Sequence, residues 1–397
     1  MEHKSERHIR EILVPLDDND NMRIEEENAK FLRKVFASAH INVLLGSGFS
    51  GSVVPVLQGR ESWFQAVDEH MRDCPGNERG MWLSARALLR AEYFKSIMHP
   101  LREAHATEPQ KAFVASACRL IENRGTTTLP KRLNFFTTNY DPLIELSLES
   151  LGIPFNDGFV GRGKPRFDPS AFSRLMCEQS LFMEYTSQVT TANVLKAHGS
   201  LTWRRVGESD RKEVVYSNVE STLDDCVVGH DGVLDLPAVS ELASLVKDPC
   251  NAASLQLFKE LVSGLSVDDV DLLQAFGKSY DSTLCIVNPA KRKFEETVLE
   301  QSYYDLLRIY ANELDRNNAL LLVFGFSFAD EHILELTKRA IRSNPKLIVL
   351  ISCHTRDDAA WYRSLFPNAD NVYLLVPRED KEIGLGELTE VLRCVAR

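Results

Sequence analysis

Short apolar runs alternate along the chain with segments in which apolar residues recur every three or four positions. The runs predict buried strands, and the helical spacing between them predicts crossover helices. The predicted strands cover residues 41–45, 133–137, 194–197, 284–287, 320–324, 347–351 and 372–376. Because alternating strands and helices are typical of α/β proteins, the pattern predicts a Rossmann-like, doubly wound parallel sheet.

The remaining segments have a mainly helical pattern. Residues 1–40 are charged, and apolar residues recur at helical spacing within 24–37, which predicts an N-terminal helical arm. Residues 41–397 then form one α/β domain. We expect helical insertions in this domain at about 60–130, where apolar residues recur at spacings near three and four, and at about 205–280, which is acidic and weakly periodic with a helical pattern at 255–263.

Composition and charge narrow the class of protein. The formal net charge of -11 provides no general attraction for a phosphate backbone, and no dense Lys/Arg cluster is present, so we expect no direct nucleic-acid binding. The longest apolar stretch, 319–329, is about half the length of a membrane-spanning helix. The polar residues 1–7 do not resemble a signal peptide. We therefore expect a cytoplasmic protein without a membrane segment.

The eight cysteines are scattered, and none forms a Cys-x-x-Cys pair. In a reducing compartment this pattern favours free thiols. The sequence therefore predicts neither disulfides nor a metal site.

A glycine-rich turn follows the first predicted strand of the sheet. Gly46, Ser47, Gly48, Phe49 and Ser50, followed by another glycine, match the pattern G-x-G-x-x-G, whose backbone N–H groups can hold a pyrophosphate at the start of a helix. A tight turn without a ligand would explain the glycines equally well.

A dehydrogenase would also need an acidic residue about 20 positions further on, at the end of a second strand. The nearest acidic residue, Asp68, lies in a helical pattern, and this disfavours hydride transfer.

Polar residues follow the second predicted strand. Asn139, after Thr138, carries a carboxamide that can hold a water molecule or a ribose hydroxyl without adding charge. Asp141 has two interpretations that the sequence leaves open: it caps the helix beginning near Pro142, or it orients Asn139 or a bound amide.

Two further strands end in chemically suggestive residues. His198 follows the run 194–197, and an imidazole can accept a proton near neutral pH. Gly325 and Ser327 follow the run 320–324, at the end of the strand where α/β sheets bind ligands. Asp330 is expected to cap the next helix, and Lys291 is a weaker candidate for binding phosphate.

These four segments, in this order, resemble the NAD-binding core of the sirtuin family. Thr138 stands where sirtuins have Gln, and Tyr140 stands where they have an aliphatic residue. Tyr140 and Phe326 make the chain more similar to the sirtuin-like effectors of bacterial anti-phage defence. Deacylating sirtuins carry two Cys-x-x-Cys pairs after the catalytic His, and these are absent after His198. The resemblance therefore implies a SIR2-like fold without the zinc module.

The resemblance implies an NAD hydrolase that releases nicotinamide and ADP-ribose, with NAD as its substrate and no metal. Asn139 and His198 are then the catalytic residues. The residues expected to hold the rest of NAD are Gly46, Ser47, Gly48, Ser50, Thr138, Asp141, Gly325 and Ser327. Because such an activity depletes cellular NAD, the resemblance also implies control by assembly, as a homo-oligomer and with a HerA-type hexameric ATPase.

Two other functions stay open at this point. A sirtuin-like deacylase or ADP-ribosyltransferase would require a peptide or protein acceptor. A non-catalytic sensor would bind NAD or ADP-ribose through the same sheet and signal without cleaving it.

Overall fold

The structure is a computed structural model that describes residues 9–14, 24–55, 59–124, 129–179, 181, 185–206, 213–288 and 301–396. In chain order the strands are β1 (Arg10–Val14), β2 (His40–Leu45), β3 (Arg132–Thr137), β4 (Phe155–Asn156), β5 (Phe159–Val160), β6 (Arg166–Phe167), β7 (Cys177–Gln179), β8 (Thr186–Gln188), β9 (Thr191–Lys196), β10 (Gly199–Val206), β11 (Glu213–Tyr216), β12 (Leu284–Ile286), β13 (Ala319–Phe324), β14 (Ile348–Ser352) and β15 (Val372–Pro377).

The helices are α1 (Glu26–Ser38), α2 (Ser47–Ser50), α3 (Arg60–Asp73), α4 (Arg79–Tyr93), α5 (Glu108–Glu122), α6 (Leu143–Ser150), α7 (Val219–Val227), α8 (Pro237–Leu245), α9 (Ala252–Ser263), α10 (Val267–Thr283), α11 (Gln301–Leu314), α12 (Glu331–Ser343), α13 (Asp358–Leu365) and α14 (Leu385–Ala396). A π-helical turn, Phe94–Met98, and a 3₁₀ turn, His99–Glu103, continue the chain beyond α4.

A parallel sheet forms the centre of the molecule, with strand order β1-β15-β14-β13-β2-β3-β9-β4. Its central strands are buried on both faces, which explains why they appear in the sequence as continuous apolar runs. Helices α1, α5, α6 and α14 share one hydrophobic core with the sheet, and α11, α12 and α13 share another. The sheet is therefore covered by helices in two separate cores, which confirms the predicted doubly wound α/β fold.

The strand register determines where the functional loops lie. Leu45 of β2 is paired with Thr137 of β3 and with Phe324 of β13, and Thr137 is paired with Lys196 of β9. Four neighbouring strands therefore end at the same level. The loops that follow them meet at one edge of the sheet, where open α/β sheets bind ligands.

The remaining long helices, α3, α4 and α7 to α10, pack together with the turns that follow α4; we call this group the helical module. Trp63 and Leu88 from the first insertion share its core with Val239, Phe258 and Phe276 from the second. The two insertions, separate in sequence, therefore fold as one unit. Helix α5 does not belong to this module, because its apolar face packs on the sheet and on α14.

Residues 284–287 were expected to form a strand of the parallel sheet, and this expectation is wrong. Strand β12 pairs antiparallel with β10 in a second sheet, whose order is β12-β10-β11-β6-β5. Apolar residues alone predict a buried strand but do not specify its partner. Here Leu284 and Ile286 of β12 pack in the core of the helical module, and β12 pairs with Gly199 and Ser200, just beyond the end of β9. We call the carboxyl ends of β13, β2, β3 and β9 the functional edge of the parallel sheet.

The expectation of a helical arm over 1–40 also needs a correction. Helix α1 is present, but strand β1 precedes it and pairs parallel with β15 at the edge of the sheet. Ile12 and Val14 are buried in the core, while Leu13 between them is exposed. The helix and the strand are thus parts of the domain itself. Across the described ranges, no helix is long and apolar enough to cross a membrane.

Candidate functional site

A cleft of about 330 Å³ lies between the functional edge of the sheet and the helical module. Most of the residues predicted for the site line it: Ser47, Ser50, Thr138, Asn139, Asp141, His198, Gly325 and Ser327. The helical module contributes Glu61 and Tyr93, which the sequence reasoning missed because their helical pattern indicated only packing. The structure thus brings together residues from across the chain at one concave surface.

Gly46 and Gly48 do not line the cleft, because they pack against the loop after β13. The N–H of Gly46 donates to Phe324 O and that of Gly48 donates to Gly325 O, each at 3.1 Å. A Cβ on Gly46 would lie 2.3 Å from Gly325 O, and one on Gly48 would lie 2.6 Å from Gly325 Cα. Gly325 itself has a φ of 60°, which favours glycine. These glycines allow two loops to meet.

This geometry changes the predicted role of the glycine turn. The N–H groups of Gly46 and Gly48 are used within the protein, so they do not point at a pyrophosphate. Ser47 and Ser50 are the residues of the turn that line the cleft.

Asn139 is held by hydrogen bonds on several sides. Its Nδ2 donates to Gly46 O and to Ser50 Oγ, both at 2.9 Å, and its backbone N–H donates to Thr137 Oγ1 at 3.0 Å. Because Nδ2 is used on the protein side, Oδ1 is the amide atom that suits a ligand hydroxyl or a water. The side chain is therefore preorganised to present an acceptor.

Asp141 combines the two roles that the sequence left open. Its Oδ1 accepts the N–H of Leu143, the first residue of α6, at 3.1 Å and so pairs a free N–H at the start of the helix, although Pro142 holds the N-cap position itself. Its Oδ2 accepts the hydroxyl of Ser50 at 2.7 Å, and Ser50 in turn accepts from Asn139. The carboxylate is buried. Through these two hydrogen bonds it orients Asn139 by way of Ser50.

His198 lies at the end of β9 with Asp330 beside it. His198 Nε2 is 2.6 Å from Asp330 Oδ2, and both side chains are buried. Because a carboxylate only accepts hydrogen bonds, a hydrogen bond across this contact requires the hydrogen on Nε2, and Nδ1 is then the nitrogen that can take up a proton. Asp330 Oδ1 also accepts the N–H groups of His332 and Ile333, so the expected cap of α12 is present.

Gly199 explains why a glycine follows the histidine. Its φ is 78°, and a Cβ there would lie 1.9 Å from Cys285 O of β12. In addition, the N–H of Val287 donates to His198 O at 2.9 Å. The backbone of His198 is thus fixed against β12.

A buried ion pair lies behind the site and was not predicted. Lys196 Nζ is 2.9 Å from Glu145 Oε1 and also donates to the backbone oxygen of Asp141. Burial raises the pKa of Glu145 above its usual value, and Lys196 opposes this effect. Within an apolar strand a lysine was not expected to be buried, but here it ties β9 to the loop that carries Asn139.

Two tyrosines connect the sheet to the helical module. The hydroxyl oxygens of Tyr93 and Tyr140 are 2.5 Å apart, and both residues line the cleft. Burial raises the pKa of each phenol, with a smaller contribution from the other tyrosine in the case of Tyr140. Both therefore stay neutral at physiological pH and act as hydrogen-bonding groups.

The loop after β13 is supported by α13. Tyr362 donates its hydroxyl to Phe326 O at 3.1 Å, and Trp361 Nε1 donates to Ser327 O at 3.0 Å. These contacts hold Ser327 at the cleft. Among the described residues no group of three His, Cys, Asp or Glu side chains forms a metal site. Lys291, the weaker candidate for binding phosphate, lies outside the described residues.

The chain matches a known protein family. A family model described as "SIR2-like domain" matches residues 133–364, which is more than half of the chain. The matched range includes Asn139, Asp141, His198 and Ser327, while the glycine turn precedes it. No curated protein matches the chain.

Proposed function

The chain belongs to the SIR2-like domain family, which uses NAD, and on this basis we propose that it is an NAD hydrolase. It would cleave the bond between nicotinamide and ribose and release nicotinamide and ADP-ribose. The observation that carries this proposal is the placement of Asn139 and the His198–Asp330 pair in one cleft at the carboxyl ends of parallel strands.

The reaction assigns a distinct task to each group. When the bond between ribose C1′ and the ring nitrogen breaks, its electron pair passes to the nitrogen, and neutral nicotinamide leaves. A water oxygen then forms a bond to C1′ and its proton passes to Nδ1 of His198. Asn139 Oδ1 holds the water or a ribose hydroxyl, and Asp330 stabilises the imidazolium that forms.

Hydrolysis is favoured over acyl transfer by the similarity to anti-phage effectors. Tyr140 and Phe326 carry this similarity, and both line the cleft. We also propose that the biological output is depletion of NAD in phage-infected cells. Control would come from assembly as a homo-oligomer or with a HerA-type ATPase, because a permanently active NAD hydrolase would be toxic.

The test measures nicotinamide release from NAD by the purified protein, alone and with a HerA-type ATPase. We expect turnover without an acyl-peptide, and a loss of at least about 100-fold in Asn139→Ala and in His198→Ala. Asn312→Ala and His99→Ala are matched controls, because both residues are exposed and lie outside the cleft.

Other results would favour the other functions. Turnover that requires an acyl-peptide or a protein acceptor would identify a transferase. Retained NAD binding without turnover in every assembly would contradict hydrolysis and favour a sensor.

A further inference from the structure

Among the described residues, three carboxylates line the cleft, and two of them contact other groups of the site. Asp141 is bound by Ser50 and the N–H of Leu143, and Asp330 is bound by His198 and the N-terminus of α12. Glu61, in the first turn of α3, is half-buried at the opposite wall. In the described part of the chain, neither a hydrogen bond nor an ion pair engages its carboxylate.

The cation next to Glu61 in sequence does not neutralise it. Arg60 is buried in the helical module, where its Nε and Nη2 lie 3.0 and 2.6 Å from the two carboxylate oxygens of Glu92. Both side chains of that pair are almost fully buried, so the charge of Arg60 is balanced inside the module. Glu61 therefore brings a negative charge to the cleft.

The position of Glu61 is fixed by contacts on the other side of α3. Trp63 Nε1 donates to Asp248 O at 2.9 Å, and Ser62 Oγ accepts the N–H of Cys250 at 2.7 Å. A Cβ on Gly59 would lie 2.1 Å from Asp248 O, which shows how closely the backbone at Gly59 approaches the backbone at Asp248. The backbone of the first turn of α3 is thus held in place by these contacts, which keeps Glu61 at the wall of the cleft.

We propose that Glu61 is a catalytic carboxylate that faces the cationic nicotinamide–ribose end of NAD. This inference rests on the proposed function. The nicotinamide ring of NAD is positively charged, and ribose C1′ becomes positively charged as the bond to nitrogen breaks. A nearby carboxylate stabilises both charges. Glu61 exchanges neither a proton nor an electron in this step, since the water proton passes to His198.

The test compares Glu61→Gln with Glu69→Gln. Glu69 lies two turns further along the same helix, outside the cleft, and bonds Gln65 Nε2 at 2.8 Å. Nicotinamide release is measured for both variants, together with equilibrium binding of NAD and of NADH, whose nicotinamide ring is neutral. Thermal unfolding establishes that both variants are folded.

In Glu61→Gln we expect kcat to fall about 10²- to 10³-fold, a loss of the size that removal of one charge-stabilising group from an active site causes. Affinity for NAD should fall about tenfold while affinity for NADH stays unchanged, because the carboxylate attracts only the cationic ring. Glu69→Gln should match the wild type in all three measurements.

Two results would overturn the inference while leaving the proposed function intact. One is a Glu61→Gln kcat within about twofold of an active wild type. The other is an equal loss of affinity for NAD and NADH. If the wild type binds NAD without cleaving it, the catalytic role of Glu61 is overturned together with the proposed function, and the two affinities show only whether Glu61 faces the cationic ring. If the wild type neither binds nor cleaves NAD, the proposed function is wrong, and the inference is overturned with it.

Discussion

Asp330 shows how one side chain can serve both the fold and the chemistry of the site. One carboxylate oxygen caps α12, and the other lies 2.6 Å from His198 Nε2. The sequence indicated the first role, because an aspartate before a helical pattern is a common N-cap. The second role depends on the loop after β13 lying beside the end of β9, which no local pattern specifies.

The two roles of Asp330 are separable by Asp330→Asn. Asparagine caps helices as well as aspartate does, so thermal stability should change little. An amide can donate to Nε2, which favours the wrong tautomer of His198, and nicotinamide release should fall by about 10²- to 10⁴-fold. Kinetics and thermal unfolding of the same preparation give the answer. Full activity in Asp330→Asn would show that the tautomer of His198 is irrelevant to turnover.

At the scale of secondary-structure elements, the contact between the glycine turn and the loop after β13 is a packing feature. Gly46 and Gly48 lie on one side and Gly325 on the other, and backbone meets backbone without side chains between them. The match to a phosphate-binding pattern lies at the end of the sheet where the cleft is found. It did not reveal that the first glycines are needed to bring two loops together.

Substitution of Gly48 should therefore disturb the fold of the site. Gly48→Ala places a methyl group 2.6 Å from Gly325 Cα, and we expect a loss of about 1–3 kcal/mol in the free energy of unfolding. Gly51→Ala is the control, because Gly51 has a helical backbone and a Cβ there would lie 3.6 Å from its nearest neighbour. That variant should be neutral or slightly stabilised. Equal denaturation midpoints for the two variants would rule out a tight contact at Gly48.

The sequence predicted the central strands well because each contains a short apolar run that is buried on both faces of the sheet. It failed where the same residues fit several environments. Strand β1 carries Arg10 and Glu11 beside its apolar residues, so its short pattern resembles the start of a helix. Strand β12 is apolar enough for either sheet, and only its pairing with β10 assigns it to the antiparallel one.

At the scale of the whole molecule, the cleft is completed by segments that are far apart in sequence. The sheet supplies Asn139 and His198, and the helical module supplies Glu61 and Tyr93. The residues of the sheet could be predicted, because they follow apolar strands in polar motifs. Those of the module could not, because their orientation depends on how two separate insertions share one core.

The contact between Tyr93 and Tyr140 joins these two parts next to Asn139. Tyr93→Phe removes one buried hydroxyl from that contact. Tyr310→Phe is a matched control, since it removes a buried hydroxyl that bonds Thr337 Oγ1 at 2.8 Å, outside the cleft. Each variant should lose about 1–3 kcal/mol of stability, because each leaves a buried polar partner with one bond fewer.

The two tyrosine variants should differ in turnover. Tyr93→Phe frees Tyr140 from the helical module and allows the loop that carries Asn139 to shift, so nicotinamide release should fall about tenfold, equivalent to about 1.4 kcal/mol. Tyr310→Phe should retain the wild-type rate, since its contact does not reach the cleft. Rates are compared at a temperature where both variants are fully folded. If nicotinamide release slows equally in both variants, reduced stability explains the effect and the helical module does not position the site. If it slows only in Tyr93→Phe, the position of Asn139 depends on the helical module as well as on the sheet.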